Sequence, residues 1–373
     1  MIDAQESSAR AAVPVPGGEL VPSPFLHAGE VAIYNPLTDR QLAAADADYP
    51  SLRALMAGEL APAALDSAVR DRLSSAGWLH SSSDFAGLSE QFHLKYVSLE
   101  AHTVCNQGCY FCPVAYDPRD AHFMPTELYE DIVRQLAAHR DTIEAVFMIN
   151  YNEPTADKRF VDQVRLLKES GLPPATLTNG TGLTPARVDQ LVEMGGLKYL
   201  SINLSTLDPE RYRNDRKGDH LELVLKNLDY AMDKPVGETM EVIVLGKEDA
   251  VHLADHAAIE ERFRGSRFVV KRYPVMDRAG YLQIGLSARH KTLCGCDNVG
   301  SRPLQHLHIT PQGRCVLCCE DYDEGHVVGD LTRQTVDEVL RGPELALYRR
   351  WIYGIERAPD DFLCRNCVFA RTR

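Results

Sequence analysis

The sequence predicts an α/β protein whose main part is a parallel β-sheet, either open or curled as a partial (β/α)6 barrel. From about residue 93 to residue 285, short β-rich runs alternate with helical segments, which is the pattern of repeated βα units. The ten cysteines are clustered: three lie within one short loop and the other seven fall between Cys294 and Cys367. The length of 373 residues suits two or three domains.

Six strands and five helices make up the predicted sheet domain, residues 93–285. The strand candidates are runs rich in β-branched, aliphatic and aromatic residues, at 95–100, 145–149, 175–178, 199–204, 241–245 and 268–271. Helical patterns lie between them, at 126–139, 157–169, 185–194, 219–233 and 253–263. In parallel sheets of this kind the chemistry lies at the C-terminal ends of the strands.

Before the sheet, the sequence predicts a lead-in and a small domain. Residues 1–24 are rich in Pro, Ala and Ser without an apolar period, which predicts disorder. Residues 25–85 predict a small α+β domain, with a strand at 31–37 and helices at 50–57 and 62–76. Residues 286–373, rich in cysteine, predict a separate cofactor-binding domain.

Composition narrows the class of partner. The formal net charge is −13, which argues against a nucleic acid or an anionic membrane surface, because both require clustered positive charge. No run approaches the length of a transmembrane helix, and the N-terminus lacks the pattern of a signal peptide. We therefore expect a cytoplasmic protein, in which cysteines stay reduced and clusters of them indicate metal or iron–sulfur ligands.

The first cysteine cluster directly follows the first strand of the predicted sheet and comprises Cys105, Cys109 and Cys112. Three thiolates on one loop can bind three irons of a cubane and leave the fourth iron without a protein ligand. A closed zinc site usually has four ligands, so zinc fits this triplet poorly, although zinc or structural thiols remain the alternatives.

This loop resembles that of the radical S-adenosylmethionine (SAM) enzymes, in which a C-x3-C-x2-C motif holds a [4Fe–4S] cluster and SAM chelates the fourth iron. The resemblance implies a partial (β/α)6 barrel and a catalytic role for the three cysteines. It also implies a place near the adenine for the aromatic Phe111.

Further segments match the same family at the ends of later strands. Seven residues are implied as contacts of SAM or its cluster, at positions typical of the family: Phe111, Glu153, Asn179, Ser201, Asn203, Arg216 and Val244. Glu153 stands in the sequence Asn-Tyr-Asn-Glu-Pro, which lacks the family's glycines, and a helix N-terminal acid is its alternative. Arg213 competes with Arg216 for the SAM carboxylate.

The C-terminal cysteines are Cys294, Cys296, Cys315, Cys318, Cys319, Cys364 and Cys367. Two C-x-x-C pairs among them would suit a zinc ribbon. The segment from Gly313 to Cys318 and the closing pair instead resemble the SPASM/twitch extension of radical SAM enzymes, which binds an auxiliary [4Fe–4S] cluster. That resemblance favours Cys296, Cys318, Cys364 and Cys367 as ligands, with Cys294, Cys315 and Cys319 as competitors.

The resemblance implies a radical SAM enzyme, with SAM and two [4Fe–4S] clusters as cofactors, that forms a 5′-deoxyadenosyl radical and abstracts a hydrogen atom from an unactivated C–H bond. It also implies a reductant such as flavodoxin or ferredoxin as partner. Residues 25–85 resemble a RiPP recognition element of winged-helix type, which favours a maturase that cross-links, epimerises or oxidises a ribosomal peptide. The alternatives are a dehydrogenase or epimerase of a sugar or cyclitol, and a non-enzymatic iron–sulfur carrier or zinc-stabilised binding protein.

Overall fold

The computed structural model describes residues 19–298 and 301–372, and the chain divides into two compact units after Leu88, with Pro36–Asp39 belonging to the second. Most of the lead-in expected at 1–24 lies outside the described residues. Its last part contains a strand, so the first unit begins earlier than the sequence predicts.

The first unit is small and mixed. Its elements are β1 (Leu20–Pro22), β2 (His27–Ala28), β3 (Ala32–Asn35), β4 (Arg40–Ala43), α1 (Tyr49–Ala57), α2 (Ser67–Ser75), β5 (Leu79–Ser81) and α3 (Phe85–Leu88). Strands β2, β3 and β4 form an antiparallel sheet in that order, and β1 pairs with β5. Leucines from both helices pack with Ile33 and Trp78 in one apolar core. A core of this kind is what an α+β domain needs to bury its sheet face.

The second unit contains the predicted sheet. Its first part comprises β6 (Tyr96–Leu99), α4 (Thr126–Leu136), β7 (Ala145–Phe147), α5 (Phe160–Glu169), β8 (Pro174–Thr178), α6 (Pro185–Glu193), β9 (Leu197–Asn203), α7 (Pro209–Arg216), α8 (Leu221–Ala231), β10 (Gly237–Gly246), α9 (Ala250–Arg262) and β11 (Phe268–Pro274). The six strands from β6 to β11 pair in parallel in chain order. All six predicted strands are present, while α7 is a helix that the sequence analysis missed because its residues are strongly polar.

The C-terminal region continues the same sheet. Its elements are β12 (Gly295–Cys296), α10 (Arg302–Gln305), β13 (His306–Ile309), β14 (Arg314–Val316), β15 (Val327–Asp330), α11 (Val336–Leu340), α12 (Pro343–Ile352) and β16 (Ala370–Arg371). Strand β13 pairs in parallel with β6, and β14 and β15 follow antiparallel. One sheet of nine strands therefore carries both cysteine-rich regions.

The two faces of the parallel strands differ. Val97, Val146, Ile202 and Val242 are fully buried, as expected for a face covered by helices. On the alternate positions, the ring of Phe147 stacks on Tyr199 and is tilted against Tyr96. Because side chains alternate along a strand, the polar residues further along, such as Ser98 and Asn203, lie on this second face.

Within the described ranges, no helix is long and apolar enough to cross a membrane. The longest of these helices, α9, has 13 residues, whereas a transmembrane helix needs about 20.

Arg349 of α12 is a buried guanidinium that ties the C-terminal region together. Its side chain is 1% exposed and donates to the main-chain carbonyls of Pro303 at 2.7 Å, Ser89 at 3.0 Å and Leu340 at 3.0 Å. We predict that Arg349→Leu lowers the free energy of unfolding by about 3 kcal/mol, because each buried carbonyl left unpaired costs about 1–3 kcal/mol.

The measurement is anaerobic urea unfolding followed by circular dichroism. The control is Arg333→Leu, since Arg333 is 84% exposed and surface changes usually stay within about 0.5 kcal/mol. Equal stability of the two variants would contradict the structural role of Arg349.

Candidate active site

The loop after β6 brings its three cysteines together. Cys109 is buried, whereas Cys105 and Cys112 are partly exposed. Burial raises the pKa of Cys105 to about 12, and the charges of Glu153, Cys109 and Cys112 contribute to the rise. Burial likewise raises the pKa of Cys112 to about 11. Thiols in such surroundings become thiolates when cationic iron binds them.

The donor set of this loop consists of thiols alone, which fits a [4Fe–4S] cluster because each cysteine binds a different iron. Among the described residues, no three His, Cys, Asp or Glu side chains converge on a single metal ion.

Arg216, at the end of α7, joins the loop to strand β9. Its guanidinium is 2% exposed, lies 3.6 Å from Sγ of Cys109 and stands over the ring of Phe111, 5.1 Å from the centroid. It also donates to Oδ1 of Asn203 at 2.8 Å. The structure thus brings four of the predicted site residues together: Cys109, Phe111, Asn203 and Arg216.

The competing Arg213 lies elsewhere. Its side chain is 53% exposed and pairs with Asp219. An exposed ion pair of this kind is typical of a solvated helix end.

Glu153 ties the ends of β7 and β8 together. Its carboxylate is buried and accepts hydrogen bonds from the main chain and hydroxyl of Thr155, from the hydroxyl of Thr178 and from the main-chain N–H of Asn179. Burial raises its pKa, although these hydrogen bonds act in the opposite direction. Asn179 in turn donates to Asn106 of the cysteine loop at 2.8 Å. Glu153 and Asn179 therefore form a buried network that holds the loop.

Ser201 and Val244 take different places. Ser201 lies on the same face of β9 as Asn203, with its hydroxyl 3.5 Å from Oε2 of Glu241. Val244 is fully buried in the core, and it is the neighbouring Leu245 that packs against the cluster of Cys109 and Phe111. Successive side chains on a strand point to opposite faces, so a strand end located from sequence is easily misread by one residue.

A second cysteine site lies in the C-terminal region. Cys296, Cys318, Cys364 and Cys367 line one cavity. Arg302 and Glu320 are also among the lining residues. Four thiols around one space fit a fully ligated [4Fe–4S] cluster.

The other three C-terminal cysteines are not among the residues that line this cavity. Cys315 is fully buried in β14, where burial raises the pKa of its thiol. Cys294 is partly exposed, and its main-chain N–H donates to Arg371. Cys319 accepts a hydrogen bond from the guanidinium of Arg302, and its own thiol lies 3.6 Å from the carboxylate of Glu320.

Charged and aromatic residues lie between the two cysteine sites, and the sequence analysis did not assign them. The hydroxyl of Tyr151 donates to the carbonyl of Cys319, and Arg278 pairs with Glu320 at 3.4 Å. Burial lowers the pKa of Arg278, but the charges of Glu320, Tyr151, Cys319 and Cys112 raise it by a larger amount, so the net shift is upward. The hydroxyl of Tyr322 donates to the main-chain carbonyl of Asp117, so the segment that follows Cys319 contacts the segment that follows Cys112.

The wall of this region is aromatic. The rings of Tyr151 and Tyr322 meet edge to face at 4.7 Å, and the guanidinium of Arg119 stands over both. Arg119 is held by a two-pronged ion pair with the fully buried Glu100. The sequence signal that could have identified Tyr151 and Glu320 is their position beside predicted site residues. Tyr151 stands two residues before Glu153, and Glu320 stands two residues after Cys318.

Comparisons with known proteins identify the class. Residues 99–258 match the model of the radical SAM superfamily, so this chain is a radical SAM enzyme. Residues 296–368 match the model of the SPASM iron–sulfur cluster-binding domain. The chain therefore combines a domain that binds a [4Fe–4S] cluster and SAM with a domain that binds auxiliary iron–sulfur, as the sequence analysis predicted.

Two curated relatives and one solved structure illustrate the range of similar proteins. A GTP 3′,8-cyclase of Peptoclostridium acidaminophilum is 27% identical over 67% of this chain and 86% of its own length. An S-adenosyl-L-methionine-dependent 2-deoxy-scyllo-inosamine dehydrogenase of Niallia circulans is 22% identical over 73% of this chain and 91% of its own. SuiB of Streptococcus suis, solved bound to precursor peptide SuiA, is 13% identical, with a TM-score of 0.54 over 88% of this chain and 89% of its own. The likeness to SuiB confirms the predicted fold class.

The contrast between Arg216 and Arg213 gives a prediction. Arg216→Gln should raise the KM for SAM about tenfold or more, because a charge-assisted hydrogen bond contributes about 1.5–3 kcal/mol and about 1.4 kcal/mol is a factor of ten. The measurement is 5′-deoxyadenosine formation against SAM concentration with the reconstituted protein. Arg213→Gln is the matched control and should leave the KM unchanged. The reverse order of the two effects would assign the contact to Arg213.

Proposed function

We propose that this chain abstracts a hydrogen atom from an unactivated C–H bond of a substrate held between its two cysteine sites, and that the outcome is oxidative. The single observation that carries the proposal is the position of residues 318–320. Cys318 lines the C-terminal cavity, while Cys319 and Glu320 contact Tyr151 and Arg278. Tyr322, close behind them in the chain, donates to Asp117 in the segment that follows Cys112. A substrate in this region would contact both sites.

The proposed cofactor ligands follow from the same geometry. Cys105, Cys109 and Cys112 would hold the cluster that binds SAM, and Cys296, Cys318, Cys364 and Cys367 would hold the auxiliary cluster. Bound there, the first cluster and SAM supply the 5′-deoxyadenosyl radical, and the cofactors rather than the protein carry this chemistry. An electron donor of the flavodoxin or ferredoxin class is the proposed partner.

The protein's own side chains would bind SAM and hold the cysteine loop in place. Arg216, fixed by Asn203 and Phe111, offers positive charge for the SAM carboxylate beside Cys109. Glu153 and Asn179 hold the cysteine loop against the strand ends. Tyr151, Tyr322 and Arg119 pack against one another, and in this proposal they shield the reactive intermediate from water.

Iron content tests the ligand sets. The reconstituted chain should bind about eight irons if it holds two cubanes. Ala variants of Cys105, Cys109 or Cys112 should lose the first cluster and form no 5′-deoxyadenosine, because the loop then has only two thiolates. Variants Cys318→Ala and Cys364→Ala should retain about four irons, those of the first cluster.

Cys294→Ala and Cys315→Ala are the controls and should retain both clusters, since neither residue lines the cavity. Turnover in a variant of the first triplet would refute that assignment. Loss of the auxiliary cluster in a control variant would move that cysteine into the ligand set.

A peptide is the substrate class that the first unit favours. Residues after Leu88 make up about three quarters of the chain, so a likeness to SuiB over 88% of the chain extends into this unit. Its sheet ends in β2 on one side and β4 on the other, and an edge strand can accept an extended peptide by strand addition. The predicted winged-helix, peptide-recognition role of residues 25–85 belongs to this proposal.

A cyclitol or sugar is the second candidate. The observation that favours it is the similarity to the 2-deoxy-scyllo-inosamine dehydrogenase over 91% of that protein. That enzyme's name describes oxidation of a small polar molecule, which the space between the cysteine sites would also have to accommodate.

Deletion of residues 1–88 separates the two candidates. If the substrate is a peptide, the deletion should weaken binding of a precursor peptide encoded beside the gene, measured by fluorescence anisotropy. Cleavage of SAM without substrate should continue, because the residues proposed to bind SAM and its cluster all follow Leu88. Unchanged peptide binding would remove the recognition role from the first unit, and turnover of a cyclitol by the shortened chain would favour the dehydrogenase.

A further inference from the structure

Arg302 is the basic residue among those that line the C-terminal cavity. It is the first residue of the short helix α10, which leads directly into β13. Its guanidinium donates to Sγ of Cys319, and its main-chain N–H is directed at the thiol of Cys296. Arg302 therefore meets the cysteine site with both its main chain and its side chain.

The Nε atom of Arg302 is buried and has no hydrogen-bond partner among the described residues. The Cys319 thiol that accepts from the guanidinium lies 3.6 Å from the carboxylate of Glu320. The positive charge of Arg302 is therefore held beside the cysteine cavity and close to Glu320.

Glu320 is the opposing charge. It is 4% exposed, lines the same cavity, and its main-chain N–H donates to Sγ of Cys318 at 3.3 Å. Arg278, which is not among the residues that line the cavity, pairs with the carboxylate of Glu320. The cavity is thus flanked by one cation and one anion.

We propose that Arg302 and Glu320 set the reduction potential of the auxiliary cluster in opposite directions, with Arg302 raising the potential so that the cluster accepts an electron from the substrate. This inference rests on the proposed function, because it assumes that Cys296, Cys318, Cys364 and Cys367 hold that cluster. Arg302 acts through its positive charge on the cluster and does not contact the reacting C–H bond.

The sign follows from electrostatics. Reduction adds one negative charge to a cluster that four thiolates already make anionic, so nearby positive charge favours the reduced form and raises the potential. Net charge and hydrogen bonds to the sulfurs are among the established determinants of iron–sulfur potentials, and the effect is strong where water is excluded. Glu320 opposes reduction by the same argument.

The reduced flavodoxin- or ferredoxin-class protein would supply the one electron that cleaves SAM and would itself become oxidised. The substrate loses one hydrogen atom to the 5′-deoxyadenosyl radical, and the resulting substrate radical loses one electron to the oxidised auxiliary cluster and one proton to solvent. The oxidised form of the flavodoxin- or ferredoxin-class protein then accepts that electron from the cluster, so the electrons balance. A higher potential makes the electron transfer from the substrate radical more favourable.

The test is an anaerobic redox titration of the full reconstituted chain, followed by electron paramagnetic resonance. Arg302→Met should shift the midpoint potential of the auxiliary cluster downward, and Glu320→Gln should shift it upward. For Arg302→Met we expect the ratio of reduced to oxidised cluster at fixed potential to fall about tenfold, which corresponds to about 59 mV for one electron. Arg302→Lys keeps the charge and should retain most of the wild-type potential.

The cluster of the first triplet is an internal control, identified by its spectral change on addition of SAM, and its potential should stay unchanged in all three variants. An unchanged auxiliary potential in Arg302→Met, or shifts of the same sign in Arg302→Met and Glu320→Gln, would overturn the inference. If Arg302→Met does not retain the cluster, Glu320→Gln decides by its sign. A wild-type chain with only about four irons would instead overturn the proposed function on which the inference rests.

Discussion

The parallel pairing of β13 with β6 is the constraint on which both cysteine sites depend. Four residue pairs, from His306 with Tyr96 to Ile309 with Leu99, join the C-terminal region to the first strand of the parallel sheet. Parallel strands end at the same edge, so the cysteine loop that follows β6 and the turn between β13 and β14 lie at one edge of the sheet. Strand β14 then runs back antiparallel beside β13 and leads to Cys318 and Cys319. The pairing of β13 with β6 therefore attaches the C-terminal cysteine segment to the strand that carries the first cysteine loop.

Side chains that belong to neither ligand set join the two sites. Tyr151 comes from the end of β7, Arg278 from the segment after β11, and Glu320 from the hairpin after β14. Each buried polar group among them is paired, as buried polar groups must be: Tyr151 donates to Cys319 and Arg278 to Glu320. These contacts connect three separate elements of the second unit.

The sequence predicts the parallel strands and the first cysteine loop well, because strand periodicity and ligand spacing are local signals. Gly313, which begins the segment that resembles the SPASM/twitch extension, is also a local signal. It lies in the turn between β13 and β14 with a φ of +84°, a conformation that glycine adopts without strain. The positions of Arg278 and Arg302 could not be predicted, since they depend on pairing between distant segments. The packing of Leu245 rather than Val244 against Phe111 was likewise decided by the face of the strand.

Three arginines show that local charge, and not the net charge of −13, describes the site. Arg349 is surrounded by neutral carbonyls, and burial lowers its pKa to about 9. Arg278 and Arg302 are only partly buried, and nearby thiols and Glu320 shift their pKa values upward. A buried cation costs several kcal/mol unless negative charge compensates it. The opposite shifts therefore distinguish an arginine that donates to neutral main-chain carbonyls from two that lie beside Glu320 and cysteine thiols.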